Sequence, residues 1–475
     1  MLPTREDGGD GLVHRAGTGP PPIQLPLSTV PTFYLENFGC RASQADGAAI
    51  LRQLTERDLE PASADTAQLV VLNTCTVTAD ADRAARAAVR RIHSHNPSAK
   101  ILVTGCYAQR APAELAALSG VTWVVGNSHK HAIADTILPT ASPFVPLRAL
   151  TQPRRAEVYV GDIFAHTELL AAPVFGSAET SFGDARTRPN LKVQDGCDNR
   201  CSFCIIPSVR GQSRSRSLLQ VVGDVNNLVA TGSREVVISG INLGRWGRDL
   251  TPAQRFETLV EGILDQTTLE KLRLSSVEPM DWSDDLIALI RSTARIARHA
   301  HLPMQSGSDA VLRRMHRKYR PWHYVEKITK IREALPTAAI GADVMTGFPG
   351  ETDSEFEQTR RMIEDLPLTY LHIFPYSPRP GTPAATHPNQ VPMHIARQRH
   401  NVLRDLISQK KQSFAHSFVG QTLPAITLQP SSTDFSRCLT DNYLELRLAG
   451  HHRPNRWLQT RITASENGAL LGVRV

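Results

Sequence analysis

Three cysteines, Cys197, Cys201 and Cys204, stand in C-x3-C-x2-C spacing within the stretch Val193-Gln-Asp-Gly-Cys-Asp-Asn-Arg-Cys-Ser-Phe-Cys204. Three thiolates in so short a loop can hold three irons of a cubane cluster and leave the fourth iron open to a substrate. Structural zinc normally takes four protein ligands, often as two C-x2-C pairs, and neither a second pair nor an adjacent His completes such a set here. Three buried packing cysteines would not call for the opening Gly196, the polar Asp198-Asn199-Arg200 or Phe203. A second trio, Cys40, Cys75 and Cys106, is spaced by 35 and 31 residues, and each member follows an apolar run of strand character. In an open parallel sheet, ligands collect beyond the carboxyl ends of the strands, so these thiolates can converge there. Any one alone reads as a small apolar residue ending a buried strand. Three at equivalent places point to a second cluster site. Cys438, His451 and His452 read as packing or surface residues.

Such loops need rigid elements behind them. Residues 33–35, 69–72, 101–104 and 123–125 have strand character and alternate with helices beginning at Gln44 and Ala79, giving an open parallel βαβ domain over residues 32–145. Residues 1–31 are rich in Gly and Pro without apolar periodicity and read as a disordered tail. Residues 146–185, mixed in pattern, read as a linker. Six strand candidates follow over 186–415, at 191–193, 235–238, 272–275, 299–302, 340–343 and 371–374. Helical patterns at 285–292, 324–334, 353–364 and 395–414 fill the gaps, so this part is expected to be a six-stranded partial (βα) barrel. Short strands at 425–428, 443–448 and 457–462 make residues 416–475 a small all-β domain. The fold class expected is α/β with that β appendage.

The 475 residues are 41% hydrophobic and 21% charged, the balance of a globular protein. No apolar run approaches the roughly 18 residues of a membrane helix, which excludes a spanning protein. The first thirty residues do not resemble a secretory signal, so a cytoplasmic location with reduced thiols is expected. A net charge of +7 is compatible with a polyanionic partner without demanding one.

The C-x3-C-x2-C loop after a first barrel strand resembles the radical S-adenosylmethionine superfamily. That resemblance implies that Cys197, Cys201 and Cys204 are the catalytic ligands of a 4Fe-4S cluster whose open iron takes S-adenosylmethionine, and that reductive cleavage yields a 5′-deoxyadenosyl radical. With its flanking domains, the chain from about residue 32 to 475 resembles the methylthiotransferases. The likeness rests on Asn73-Thr-Cys-Thr-Val-Thr78, Val103-Thr-Gly-Cys-Tyr-Ala-Gln109, His301-Leu-Pro-Met-Gln-Ser-Gly-Ser-Asp309 and Thr346-Gly-Phe-Pro-Gly-Glu-Thr352. Gly240-Ile-Asn-Leu-Gly244, Ser275-Ser-Val-Glu-Pro279 and His372-Ile-Phe-Pro-Tyr-Ser-Pro-Arg-Pro-Gly-Thr-Pro383 are most similar to the branch that acts on N6-threonylcarbamoyladenosine in tRNA.

The resemblance implies two 4Fe-4S clusters, the second on Cys40, Cys75 and Cys106 and presenting a methylated sulfur. It also implies S-adenosylmethionine, tRNA and an electron donor as partners, and a 2-methylthio product beside the anticodon. Adenine carbon 2 carries a hydrogen that acid-base residues cannot usefully remove, which accounts for radical chemistry. The alternatives are a methylthiotransferase for isopentenyladenosine or for a ribosomal-protein aspartate, and, in another class, a noncatalytic iron-sulfur RNA-binding protein. One departure follows the first cysteine, where the family usually has Lys-Val-Asn-Gln and this chain has Arg41-Ala-Ser-Gln44. The C-terminal segment resembles a small TRAM-like RNA-binding domain, with six Arg against four acids from His416 onward.

Four further residues are expected as cofactor contacts. Arg210 opens Arg210-Gly-Gln-Ser-Arg-Ser-Arg216, which can grip phosphate or a cofactor carboxylate, or be an ordinary basic loop. Gly240 would let the backbone approach a cofactor, or merely make a turn. Gln305 and Asp343 lie at the active, carboxyl end of barrel strands.

Overall fold

The computed structural model describes residues 31–137, 156–166, 169, 187–429 and 434–475; the expected tail up to residue 30 and most of the expected linker lie outside them. Strands β1 (Thr32–Asn37), β2 (Glu60–Pro61), β3 (Leu69–Thr74), β4 (Lys100–Gly105), β5 (Val121–Gly126) and β6 (Glu157–Tyr159) form one parallel sheet in the order β2-β1-β3-β4-β5-β6. All six residues of β3 are buried because helices cover both faces, which is why it reads as a continuous apolar run. Val70, Leu72, Ile101 and Val103 pack with Ala85, Val89 and Ile92 on one face. Phe33, Val71 and Leu102 pack with Ile50, Leu54 and Ile133 on the other. Helix Ala79–His95 starts at Thr78, whose hydroxyl accepts from the Ala81 N–H at 3.2 Å, a cap worth about 1 kcal/mol. The stretch 146–185, expected as a linker, supplies β6, an edge strand of three residues with too little apolar pattern to announce itself.

The middle of the chain holds β7 (Asn190–Lys192), a short antiparallel pair of β8 (Gln194–Asp195) and β9 (Arg214–Ser215), then β10 (Glu235–Ser239), β11 (Lys271–Leu274), β12 (His299–His301), β13 (Ala339–Thr346) and β14 (Tyr370–Pro375). Two parallel three-stranded sheets, β11-β10-β7 and β12-β13-β14, meet through the Leu272–Ile296 bridge, giving the six-stranded partial barrel. Alternation sorts its faces. Leu191, Val236, Ile238, Leu272, Ala300, Ile340 and Ala342 belong to the apolar core beneath the helices. The intervening residues Lys192, Glu235, Arg273, His299, His301, Asp343, Tyr370 and His372 make the other face polar, as a substrate chamber requires and a packed barrel does not. Tyr370 lies across Gly341, where any Cβ would stand 2.0 Å from the ring.

Helix Met393–His416 leads to β15 (Thr422–Thr427), β16 (Phe435–Thr440), β17 (Glu445–Ala449), β18 (Trp457–Glu466) and β19 (Ala469–Arg474), a closed barrel in the order β15-β16-β17-β19-β18. The sequence marks three of these strands. β16 is diluted by Ser436, Arg437 and Cys438, and β19 carries Gly472 where it crosses the Arg461 carbonyl. This small barrel abuts the larger one at the amino ends of its strands: Arg273 donates to the Asp441 carbonyl at 3.1 Å, and Tyr443 lies against His299 and Tyr370. Among the described residues no helix is long and apolar enough to cross a membrane.

Candidate active site

Because β1, β3 and β4 are neighbours in one sheet, the segments leaving them bring Cys40, Cys75 and Cys106 to the same edge. Cys40 precedes helix Arg41–Thr55, Cys75 follows β3 directly, and Cys106 opens helix Cys106–Arg110. Gly39, at φ +94°, lies against Cys75, where an added Cβ would come within 2.5 Å of the cysteine's own. Burial pushes the Cys75 thiol up to about 12, and the adjacent Cys106 and Cys40 add to the shift. The Val77 N–H and the Asn127 amide point to the sulfurs of Cys75 and Cys106, each at 3.5 Å.

The barrel trio sits between β8 and helix Ile206–Arg210. The Asn199 N–H and the Asn242 amide face Cys197 sulfur at 3.4 and 3.6 Å, and Arg317 reaches Cys201 sulfur at 3.3 Å while pairing with Glu278. Burial raises Cys197 and pushes Cys204 up to about 12, with Cys201 adding to both. Donors at sulfur and a nearby guanidinium stabilise thiolates once metal replaces their protons.

The two trios approach each other. Cys106 packs in one small cluster with Ile205 and Val209, directly beyond Cys204. Asn127 ties the domains by donating to the Val209 carbonyl at 2.7 Å. Behind this contact lies a buried ion network that the sequence does not announce. Asp46 takes Lys130 at 2.9 Å, Arg210 at 3.0 Å and Lys192, while Asp195 takes Lys192 at 2.8 Å and Arg210 at 3.0 Å. Burial opposes ionisation of Asp46, but Lys130, Lys192 and Arg210 prevail and hold it down at about 2. Asp195 is likewise held low against burial, chiefly by Arg210 and Lys192. Arg210, expected as a cofactor or phosphate contact, is therefore committed to two carboxylates. Arg214 donates to the carbonyls of His166 and Arg210, and Arg216 pairs with Asp224, so the basic loop is an internal brace.

Inside the barrel, the aligned register of β12, β13 and β14 places His301 and His372 on one oxygen of Asp343, at 3.1 and 3.2 Å. Burial would raise Asp343, but these hydrogen bonds hold it below the usual carboxylate range. Tyr370 links His301 to the buried His299 through bonds of 2.9 and 2.7 Å. Gln305 is buried at φ +60°, a strained backbone for a residue with a side chain, and its Oε1 has no protein partner. Gly240 faces Gln194, whose Oε1 would lie 2.8 Å from an added Cβ and already accepts from the Asn242 N–H at 2.7 Å. Its immediate neighbour is thus the loop of the first barrel strand. His301 and His372 open two of the motifs quoted above without a role assigned to them, and Lys192 and Asp46 carry no motif; a lysine within the apolar run opening the barrel was the available signal.

The donor sets discriminate between metals. Among the described residues the one group of three His, Cys, Asp or Glu ligand atoms within 4.8 Å of one another is His301, Asp343 and His372. Neither thiol trio is drawn to the about 3.8 Å separation that tetrahedral zinc imposes through bonds of about 2.3 Å. Three spaced thiols without a fourth donor fit a cubane that keeps one iron free.

Comparison with known proteins agrees with this architecture. The family described as "Uncharacterized protein family UPF0004" matches residues 32–126, and the radical SAM superfamily matches residues 191–363. A threonylcarbamoyladenosine tRNA methylthiotransferase of Aquifex aeolicus is 35% identical over 90% of this chain and 99% of its own. One from Bacillus subtilis is 34% identical over 88% and 90%. A tRNA-2-methylthio-N(6)-dimethylallyladenosine synthase of Thermobifida fusca is 30% identical over 90% and 83%. Among solved structures, the radical S-adenosylmethionine methyltransferase TsrM of Kitasatospora setae, with cobalamin and a [4Fe-4S] cluster bound, superposes with a TM-score of 0.50 at 14% identity. It covers 75% of this chain and 77% of that one, a likeness of fold alone.

Proposed function

The chain belongs to the radical S-adenosylmethionine methylthiotransferase family, and from that premise we propose that it converts N6-threonylcarbamoyladenosine beside the tRNA anticodon to its 2-methylthio derivative. It is a transferase using S-adenosylmethionine and 4Fe-4S clusters. The observation that carries the reading is the packing of Cys106 on Ile205 and Val209, which sets one thiol trio beside the other at the barrel mouth. A single base held there meets both.

When bound, the clusters and S-adenosylmethionine supply the radical that takes hydrogen from carbon 2 and the methylated sulfur that replaces it, with electrons from an external donor. The protein's part is to hold and enclose. Cys197, Cys201 and Cys204 hold one cluster, with Arg317 and Asn242 directed at their sulfurs. Cys40, Cys75 and Cys106 hold the other. Gln305 offers its free buried Oε1 to a donor on the cofactor. The polar strand faces orient the base, while the N-terminal domain, fastened through Asp46 and Asn127, shields the mouth from water, which would quench a radical. The β15–β19 barrel is the RNA-binding appendage.

The test is anaerobic turnover by the reconstituted, reduced enzyme on two anticodon stem-loops, one carrying N6-threonylcarbamoyladenosine and one N6-dimethylallyladenosine, followed by nucleoside mass spectrometry. Methylthiolation of the first supports the reading. Methylthiolation of the second alone replaces it, and 5′-deoxyadenosine with neither RNA altered removes tRNA as substrate.

A further inference from the structure

We propose that Arg41 binds the carboxylate of the substrate's N6 substituent and so selects the threonylcarbamoyl base; this rests on the substrate reading above. Arg41 follows the cluster ligand Cys40 directly and is half-buried. Its carbonyl accepts from Asn190 at 3.1 Å, which pins it to the first strand of the barrel across the domain boundary. The carboxylates facing this interior are held by other cations. Glu235 takes Arg273 at 2.6 Å and Arg188 at 3.5 Å, and Asp343 takes His301 and His372. Asp46 and Asp195 take Lys130, Lys192 and Arg210, and Asp441 takes Lys271. Among the described residues no ion pair reaches Arg41.

The excess charge is felt inside the barrel. Burial first, then Arg273, His301 and Arg41, keep His299 neutral, and Arg41 acts also on Tyr370 and Arg188. Arg273 and Arg188 share the one carboxylate of Glu235, while the charge of Arg41 acts on the same partly desolvated chamber with no carboxylate of its own. A ligand bringing one carboxylate supplies it, and a guanidinium fork receives a carboxylate through two parallel hydrogen bonds. Position agrees with charge. Carbons 2 and 6 of adenine flank nitrogen 1, so the N6 substituent leaves from the same edge as the reacting carbon. A residue beside a ligand of the sulfur-bearing cluster is placed to meet it. A dimethylallyl group would bring only apolar carbon to this cation.

The experiment compares stem-loops carrying N6-threonylcarbamoyladenosine and its carboxamide analogue, with wild type, Arg41→Gln and Arg41→Lys. Wild type should favour the carboxylate by roughly tenfold to a hundredfold in kcat/KM, the size of a lost charged hydrogen bond. Arg41→Gln should abolish that preference, and Arg41→Lys should keep part of it. Iron content reports whether Arg41→Gln still holds both clusters; if it does not, the wild-type comparison decides alone. Equal rates of wild type on the two RNAs, or an undiminished preference in an iron-replete Arg41→Gln, overturn the assignment. Wild type that modifies neither RNA but does modify the dimethylallyl stem-loop overturns the substrate reading instead, and this one with it.

Discussion

Replacing Asp46 with asparagine removes the carboxylate at the centre of the network joining the two larger domains. Its side chain is 2% exposed, and its partners Lys130, Lys192 and Arg210 are 4%, 0% and 2% exposed. Lys192 and Arg210 keep Asp195. Lys130 keeps only the Asn73 amide oxygen at 3.3 Å, so one buried cation loses its counter-charge. Breaking such a pair costs about 3–5 kcal/mol. Lys130 has an escape, since burial already lowers its pKa and it can shed its proton. In Asp46→Asn the unfolded chain then binds more protons than the folded one, so the deficit should shrink as pH rises. The assay is anaerobic urea unfolding followed by the fluorescence of Trp123 in the N-terminal domain and of Trp246 and Trp282 in the barrel. Adding Lys130→Met should recover at least about 1.5 kcal/mol, because the stranded charge is gone. A single-variant cost below about 1 kcal/mol, or a double variant additive within about 0.5 kcal/mol, would refute the reasoning.

Triple Ala replacement of Cys40, Cys75 and Cys106, or of Cys197, Cys201 and Cys204, should halve bound iron from about eight to about four per chain, read by iron assay and electron paramagnetic resonance. Full iron in either variant would remove that trio as a cluster site. Gly39→Ala drives a Cβ into Cys75 and should lose only the cluster on Cys40, Cys75 and Cys106, with the barrel cluster's signal intact. Since Cys75 and Cys204 are raised to about 12, metal must displace their protons. Retention of iron against a chelator should therefore improve from about pH 6.5 to about pH 9, and a flat profile would show that proton release does not limit binding. Arg317→Met should weaken the barrel cluster alone, because its guanidinium touches Cys201 and no cysteine of the other trio.

What was legible in the sequence was local. The C-x3-C-x2-C loop, the strands ending at Cys40, Cys75 and Cys106 and the barrel's helices can be read because a few consecutive residues carry each signal. The buried network cannot, since Lys192 meets Asp46 across 146 residues and two domains. Arg210 has a polar local context and is buried only because the N-terminal domain closes over it. The His301, Asp343 and His372 cluster depends on strand register, which three-residue runs such as β12 do not specify. The edge strand β6 and the barrel strand β16 are set by their neighbours, not by their own apolar pattern.

The measurement closest to the central claim is nucleoside mass spectrometry of tRNA from a strain deleted for this gene and from the same strain carrying it back. The 2-methylthio derivative of N6-threonylcarbamoyladenosine should vanish on deletion, with its unmethylthiolated precursor accumulating, and return with the wild-type gene but not with either Cys trio replaced. An unchanged level of that nucleoside on deletion would contradict the account.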